Sequence, residues 1–328
     1  MDCCDCNCHS SNSHRRGNKP RLIILIRHGE SESNLDKAVN EKIPNHLIPL
    51  TDLGWKEARN AAVALLKVLN LDKHSEEVIK KLEEKYVVEN DCRTMLKTSP
   101  CTRVSTSRDT SIVFYTSPYR RTKETLKGIL DVVDEFNELN VGIKVHPEQK
   151  YEPCCKRKHS FWPRDVNTPT GIYENNITMP QVPVSENIDG CYLQYKVKND
   201  PRIREQDFGN YQNVDSMNDV MKERKNYGHF FYRFPQGESA ADVYDRVASF
   251  QESLFRKFER RTSNNPKDIV VLVTHGIYAR IFLMKWFRWT YEEYESFTNV
   301  PNGSMMVMEL NEATDRYILR TELPKWCQ

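Results

Sequence analysis

The sequence of 328 residues lacks several features that would place it in a simple class. It contains no apolar stretch near the roughly 20 residues that a membrane-spanning helix needs. Its formal net charge is only +2, which gives no support for a protein that binds nucleic acid through its overall charge. A Walker A loop, a dinucleotide-binding glycine pattern and a His-Glu-x-x-His pair are all missing, so no common nucleotide or metal motif assigns a function.

The first 20 residues hold no apolar segment typical of a secretory signal, so we expect a cytoplasmic protein, with nuclear presence not excluded. Four of its 10 cysteines crowd this segment: Cys3, Cys4, Cys6 and Cys8. Their spacing fits no standard zinc module, and metal capture or S-acylation are the alternatives to a reduced tail without a structural role. We predict a disordered tail over residues 1–20 and free thiols elsewhere.

Short apolar runs alternate with amphipathic segments along the rest of the chain. The runs predict strands at 22–26, 112–115, 143–145, 269–273, 305–310 and 316–320. Apolar residues at helical spacing predict helices at 51–70, 75–85, 118–136, 239–261 and 277–287. Such alternation predicts an α/β domain over 21–328 with a mostly parallel central sheet.

Two segments depart from this alternation. Residues 75–109 begin with charged helical character and pass into a Ser/Thr-rich stretch, and residues 151–200 scatter proline, asparagine and glycine among aromatic side chains. A disordered linker would carry fewer aromatic residues. We therefore predict insertions near 75–109 and 151–200, with the second forming a cap over a site.

Two histidines end two of the predicted strands, and a glycine follows each of them. His28 and Gly29 come after Arg27 at the first strand end, and His275 and Gly276 end a later strand. A single histidine is more often a core or surface residue. Two at equivalent strand ends favour a shared ligand, because parallel strands place their carboxyl ends at one edge of the sheet.

Further polar residues are expected at the same edge. The segment Ser117-Pro118-Tyr119-Arg120-Arg121 opens a predicted helix after a strand, and a helix N-terminus with guanidinium groups favours a phosphate. The alternative is that these arginines lie on a solvated helix face. We expect one of the two to face the phosphate site and the other to face solvent. Glu205 lies among apolar residues, where partial burial would favour the protonated form that a general acid needs; otherwise it is a surface charge.

Four motifs together resemble those of the histidine phosphatase superfamily, branch 1, which has the phosphoglycerate mutase-like fold. They occur in the family's order between about residues 22 and 310, and they are Arg27-His28-Gly29-Glu30 with Asn34, the segment 117–125, Glu205 with Phe208-Gly209, and Thr274-His275-Gly276 with Arg280. Within that superfamily, the stretches 114–121 and 271–278 are most similar to fungal broad-specificity acid phosphatases.

The resemblance implies a three-layer α/β/α fold and hydrolysis of a small-molecule phosphomonoester without a metal or other cofactor. It implies that His28 is the nucleophile that becomes phosphohistidine and that Glu205 is the general acid and base. It also implies a catalytic role for His275, which works best protonated, whereas His28 must attack with an unprotonated nitrogen. The phosphate ligands that it implies are Arg27, Ser31, Asn34, Arg121 and Gly276. The loop Gly237-Glu238-Ser239 resembles one that often lies beside the substrate.

Departures from the family pattern bear on the choice of reaction. Ser33 stands where phosphoglycerate mutases usually have an aromatic residue, and the stretch 208–212 is more similar to phosphatases. We therefore favour a phosphatase over a phosphoglycerate mutase or sugar-bisphosphatase of the same fold. A non-catalytic regulatory or binding protein is a further alternative, although no catalytic position is missing. The sequence predicts neither the physiological substrate nor an oligomeric state.

Overall fold

The computed structural model describes residues 19–87, 96–101, 109–141, 177–178, 191–209, 214–259 and 269–326. Within these ranges, seven strands form one sheet. They are β1 (Leu22–Arg27), β2 (Asp109–Thr116), β3 (Ile177–Thr178), β4 (Tyr192–Asn199), β5 (Ile269–Thr274), β6 (Met305–Asn311) and β7 (Arg316–Leu319). The strand order is β3-β4-β2-β5-β1-β6-β7. Strands β4, β2, β5 and β1 are parallel, and the outer pairings of β3, β6 and β7 are antiparallel.

Helices cover both faces of this sheet. In the described ranges they are α1 (Glu32–Leu35), α2 (Val39–Lys42), α3 (Asp52–Leu69), α4 (Lys73–Tyr86), α5 (Arg120–Val141), α6 (Val214–Tyr227), α7 (Ala240–Glu259), α8 (Gly276–Phe287) and α9 (Tyr291–Ser296). Short 3-10 turns occur at Asn45–Leu47 and Pro201–Ile203. None of these helices combines the length and the apolar character that a membrane span requires.

The sheet separates two apolar cores, and β1 contributes to both. Leu22, Ile24 and Ile26 pack with buried residues of α3, α4 and α5, whereas Ile23 and Leu25 pack with those of α7 and α8. Side chains alternate between the faces of a strand, so an uninterrupted apolar run is what a strand covered on both sides requires. The predicted α/β fold with three layers and a mostly parallel central sheet is confirmed.

The prediction that residues 151–200 are an insertion is wrong for its last part. Residues 192–199 form β4, which pairs in parallel with β2 from Asp109↔Tyr192 to Thr116↔Asn199. Leu193, Tyr195 and Val197 are buried, but lysine and glutamine alternate with them, so the segment lacks the continuous apolar run of the other central strands. The strand therefore belongs to the core of the domain.

The structure describes both ends of the predicted insertion near 75–109, which stays a prediction. Its first residues belong to α4, whose Val78, Ile79 and Leu82 are buried in the core that α3 and α5 share. Its last residue begins β2. The predicted strand at 143–145, the cysteine-rich tail and most of the predicted cap lie outside the described residues.

Candidate active site

The carboxyl ends of β1, β2 and β5 place the predicted polar residues at one edge of the sheet. Arg27 is in register with Thr274 on the neighbouring strand, so the residues that follow, His28 and His275, lie at equivalent positions. The His28 backbone N–H donates to the Thr274 carbonyl at 2.9 Å. The two imidazole rings are edge to face, with centroids 5.2 Å apart. The structure thus brings both histidines into one site.

Hydrogen bonds assign the proton on the His28 ring. Nδ1 lies 2.7 Å from the Gly29 carbonyl oxygen, which can only accept, so Nδ1 carries the hydrogen. Nε2 accepts from Nε of Arg121 at 3.3 Å, and a guanidinium can only donate. Both contacts require the same neutral tautomer, in which Nε2 carries the lone pair and directs it toward Arg121.

Electrostatics favour the same neutral ring. Burial lowers the pKa of His28 well below 6.5, and the positive charges of Arg121 and Arg27 lower it further. The hydrogen bond to Gly29 acts in the opposite direction and does not offset them. An unprotonated Nε2 is therefore available as a nucleophile.

His275 caps the N-terminus of α8 and is fully buried. Its Nε2 lies 2.9 Å from the hydroxyl of Ser117, and its Nδ1 has no hydrogen-bond partner among the described residues. Burial lowers the pKa of His275 well below 6.5, and the charge of Arg121 lowers it further. The protein's own charges thus favour a neutral ring, so the protonated form expected from the sequence requires an added negative charge.

The two consecutive arginines at the start of α5 have separate roles. Arg121 is buried, and its Nη1 donates to the backbone and side-chain oxygens of Asn45 at 2.7 and 2.9 Å. Burial lowers its pKa to about 10, although Glu205 acts to raise it. Arg120 instead forms an ion pair with Glu124 at 2.7 Å. One arginine faces the site and one faces outward, as expected from the helical turn.

Arg27 lies beside the N-terminus of α8. Its Nη1 donates to the Val300 carbonyl, and its buried Nε has no partner among the described residues. Burial lowers the pKa of Arg27, and the Glu205 carboxylate opposes this effect. A Cβ atom on Gly276 would lie only 3.3 Å from that Nε and 3.1 Å from Cγ of Asn299. Glycine at this position therefore lets the guanidinium approach the helix N-terminus.

Glu205 follows the 3-10 turn at Pro201–Ile203 and is 8% exposed. Its Oε1 accepts from the backbone N–H groups of Gln206 at 3.0 Å and Tyr278 at 3.4 Å. The hydrogen bond to Tyr278 places the carboxylate at the first turn of α8, beside which Nε of Arg27 also lies, and its charge acts to raise the pKa of both Arg27 and Arg121. Glu205 is thus within electrostatic reach of the anion that these arginines would bind.

The segment that carries Glu205 is held by Arg246 of α7. Arg246 donates to the carbonyl oxygens of Arg202, Arg204 and Glu205 at 2.7, 2.8 and 3.0 Å. It also pairs with the Glu238 carboxylate at 2.9 Å, which in turn accepts from the Asp207 backbone N–H. The loop around Glu238 therefore positions the segment that carries Glu205.

Ser31 and Asn34 form a hydrogen-bonded turn next to the first strand end. Oδ1 of Asn34 accepts from the Ser31 backbone N–H at 3.0 Å and from its hydroxyl at 2.8 Å. It also accepts from Nδ2 of Asn302 at 3.0 Å. The side-chain oxygen of Asn34 is thus engaged within the protein, and its amide N–H groups are the donors that could meet an anion.

Several residues of the site were not predicted from the sequence. Asn45 begins the short 3-10 turn at Asn45–Leu47, and its partner Arg121 is 76 residues away. Arg246 offered one signal, since it lies three residues after Val243 on the edge of the apolar stripe of α7. Arg280, by contrast, matched a motif, but it donates to the Phe297 carbonyl and the Tyr294 hydroxyl. It therefore ties α8 to α9.

The described residues contain no group of three or more histidine, cysteine or acidic side chains that could hold a metal ion. What the arrangement offers is a buried anion site. Two guanidinium groups and two imidazoles converge at a helix N-terminus, with one carboxyl group nearby. Such groups bind a phosphate by charge-assisted hydrogen bonds and by the dipole of the helix.

Comparisons with known proteins agree with this geometry. Residues 188–321 match the model of the histidine phosphatase superfamily, branch 1. The chain is 62% identical to broad-range acid phosphatase DET1 of Saccharomyces cerevisiae over 309 residues, which cover 94% of this chain and 91% of the relative. It is 34% identical to phosphoglycerate mutase-like protein AT74 of Arabidopsis thaliana, covering 90% of this chain and 67% of that protein.

A solved structure shows a similar fold. Mycobacterial hydrolase 1 superposes with a TM-score of 0.51 at 15% identity, over 94% of this chain and all of the other. At that identity the likeness concerns the fold alone, whereas the sequence relatives carry the family assignment. With these relatives spanning most of its length, the chain belongs to the histidine phosphatase superfamily, branch 1.

Proposed function

We propose that this protein is a metal-independent phosphomonoesterase, of the broad-range acid phosphatase type, that works through a phosphohistidine on His28. The observation that carries the proposal is the buried, neutral imidazole of His28, whose Nε2 faces the guanidinium of Arg121. The 62% identity to a broad-range acid phosphatase supports the reaction class. The cationic side chains would supply the charge stabilisation that a metal ion supplies in other phosphatases.

In the first step, Nε2 of His28 attacks phosphorus and the N–P bond forms. The ester P–O bond breaks in line with it, and Glu205 donates a proton to the departing oxygen. The ring gains positive charge as the bond forms, and the carbonyl oxygen of Gly29, 2.7 Å from Nδ1, stabilises that charge. Arg27 and Arg121 bind the phosphoryl oxygens, where negative charge shifts during transfer.

In the second step, a water molecule attacks phosphorus of the phosphohistidine. Glu205, now a carboxylate, takes a proton from this water, so the same group acts first as acid and then as base. The N–P bond breaks, and its electron pair returns to Nε2 of His28. Inorganic phosphate leaves, and both groups regain their starting protonation states, because one proton has been given and one recovered.

His275 acquires its role when the substrate binds. The protein alone favours the neutral ring, because burial and the arginine charges oppose protonation. A bound phosphate dianion adds the missing negative charge and favours the imidazolium, which then donates to a phosphoryl oxygen. Ser117, 2.9 Å from Nε2, fixes the orientation of the ring. Substrate binding and proton uptake at His275 are therefore coupled.

The proposal is tested by hydrolysis assays on p-nitrophenyl phosphate and a panel of phosphomonoesters in the presence of a chelator. His28→Ala should lower kcat by about 10⁴-fold or more, as expected for loss of a nucleophile. An acid-labile phosphoprotein trapped from labelled substrate should disappear in the same variant. His74→Ala, which alters an exposed histidine of α4, is the matched control and should behave as the parent. Parent-like turnover by His28→Ala would disprove the nucleophile assignment.

A further inference from the structure

A row of aromatic rings leads from the two histidines of the site toward the surface. The ring of Tyr119 lies edge to face with that of His275 at a centroid distance of 5.1 Å. The ring of His46 is tilted on Tyr119 at 6.4 Å. Exposure rises along the row, since His275 is fully buried, Tyr119 is half-buried and His46 is exposed. The row thus marks one way out of the phosphate site.

His46 is held in this row by its neighbour. Asn45 accepts two hydrogen bonds from Nη1 of Arg121, which fixes the turn at Asn45–Leu47 against the start of α5. The guanidinium of Arg121 in turn lies 4.9 Å from the centre of the Tyr119 ring. Arg121, a proposed phosphate ligand, therefore contacts both Tyr119 and the residue that precedes His46. These contacts fix the position of His46.

Tyr119 is the ring of the row nearest the phosphate site after His275, because it contacts both the His275 ring and the guanidinium of Arg121. Burial raises the pKa of the Tyr119 hydroxyl, the charge of Arg121 opposes this, and the negative charges of Asp207 and Glu205 add to it. The hydroxyl is thus in electrostatic reach of the segment that carries the proposed proton donor. A group attached to the oxygen that Glu205 protonates would pass beside the Tyr119 ring.

The charges around this path do not favour a second phosphate. Arg120 is paired with Glu124 at 2.7 Å. Arg204 and Arg246 share the Glu238 carboxylate at 2.5 and 2.9 Å, and Asp207 supplies the second negative charge that balances them. Asp207, which is exposed, would repel another anion. An uncharged planar ring, by contrast, can stack on the two aromatic side chains.

We propose that Tyr119 and His46 form a leaving-group subsite that favours phosphomonoesters whose alcohol carries a planar aromatic ring. The inference rests on the proposed phosphatase activity and narrows its substrate class. Tyr119 and His46 lie at different distances from the phosphate site, so each would contact the ring of a different kind of ester. A phenyl group joined directly to the phosphate would meet Tyr119, whereas the base of a nucleoside monophosphate, set farther from phosphorus, would reach His46.

The test compares kcat/KM for phenyl phosphate, adenosine 5′-monophosphate and glycerol 3-phosphate, which has no ring. The variants are Tyr119→Leu and His46→Ala, and Tyr227→Leu on α6, an exposed tyrosine remote from the row, is the control. Each substrate is measured with each protein. Because phenol is a better leaving group than an alkyl alcohol, the informative quantity is the change in a substrate ratio between parent and variant.

Tyr119→Leu should lower the ratio of phenyl phosphate to glycerol 3-phosphate by about two- to tenfold, the range expected for one aromatic contact. His46→Ala should lower the ratio of adenosine 5′-monophosphate to glycerol 3-phosphate by a similar factor. Since His46 does not bind phosphate, the inhibition constant of inorganic phosphate should stay within about twofold of the parent in His46→Ala.

Unchanged ratios in both variants would overturn the subsite. So would losses in Tyr119→Leu that are equal for all three substrates and for inorganic phosphate, combined with unchanged ratios in His46→Ala, because Tyr119 would then act only through Arg121. Failure of the parent to hydrolyse any of the three esters would instead contradict the proposed phosphatase activity. The two failures are therefore distinguishable.

Discussion

The buried histidines of the site predict that the free energy of unfolding falls as the pH is lowered. Burial and the charge of Arg121 lower the pKa of both His28 and His275 well below 6.5. The folded protein then keeps both rings neutral at a pH where the unfolded chain protonates them. As the pH is lowered, the free energy of unfolding decreases wherever the unfolded state binds more protons than the folded state. The stabilisation from the neutral rings is therefore fully present above the pKa of histidine in the unfolded chain. It is lost as the pH falls from that value to the lower pKa of the native protein.

The expected size follows from the reference histidine. At about pH 5.5, roughly one unit below an unfolded pKa of about 6.5, each ring costs about 1.4 kcal/mol relative to about pH 8. The pair costs about 2.8 kcal/mol, a sizeable part of the roughly 5–15 kcal/mol that stabilises a typical domain. His275→Gln removes one of the two titrating rings. The variant should therefore lose about 1.4 kcal/mol less than the parent over the same interval.

The assay is urea unfolding followed by tryptophan fluorescence at both pH values for the parent, His275→Gln and His74→Gln, whose histidine is exposed. Added inorganic phosphate should reduce the loss in the parent, because the negative charge of a bound phosphate favours the protonated form of His275. His74→Gln should match the parent. An equal loss in the parent and in His275→Gln would contradict a lowered pKa of His275, since it would mean that His275 takes up its proton equally in the folded and unfolded states.

Two further predictions concern the geometry around these rings. In Gly29→Ala, the added Cβ would lie 2.9 Å from the carbonyl carbon of Gly54, so the variant should lose about 1–3 kcal/mol or more in urea unfolding; an unchanged midpoint would contradict that packing. Arg246→Lys keeps the positive charge but cannot keep all three hydrogen bonds to the backbone carbonyl oxygens around Glu205. It should lower kcat by about tenfold for alkyl phosphates, which need the proton, and less for p-nitrophenyl phosphate; equal losses would argue against this role.

The strand-end motifs were predictable because they depend on local rules. An apolar run followed by a histidine and a glycine indicates both a buried strand and the edge at which it ends. The split between Arg120 and Arg121 follows from the helix too, because adjacent residues point about 100° apart and cannot share one target. These inferences need only the chain on either side of each residue, and the structure agrees with them.

Other features depend on partners that are distant in the sequence. The burial of Leu193, Tyr195 and Val197 in β4 follows from its place between β2 and β3, not from a local apolar run. Asn45 and Arg246 hold groups that are 76 and 41 residues away. A single asparagine in a short turn or an arginine on a helix has many possible partners. Only the packing of the whole sheet selects one.

Burial accounts for both phosphate binding and nucleophilic attack in the proposed mechanism. It lowers the pKa of Arg121 to about 10 and also lowers that of Arg27, and desolvated cations gain most from a dianion because water no longer screens the attraction. The same burial keeps His28 neutral. An acid phosphatase needs a nucleophile that stays unprotonated while its acid groups carry protons. The lowered pKa of His28 meets that requirement, so activity at acidic pH follows from the burial that creates the phosphate site.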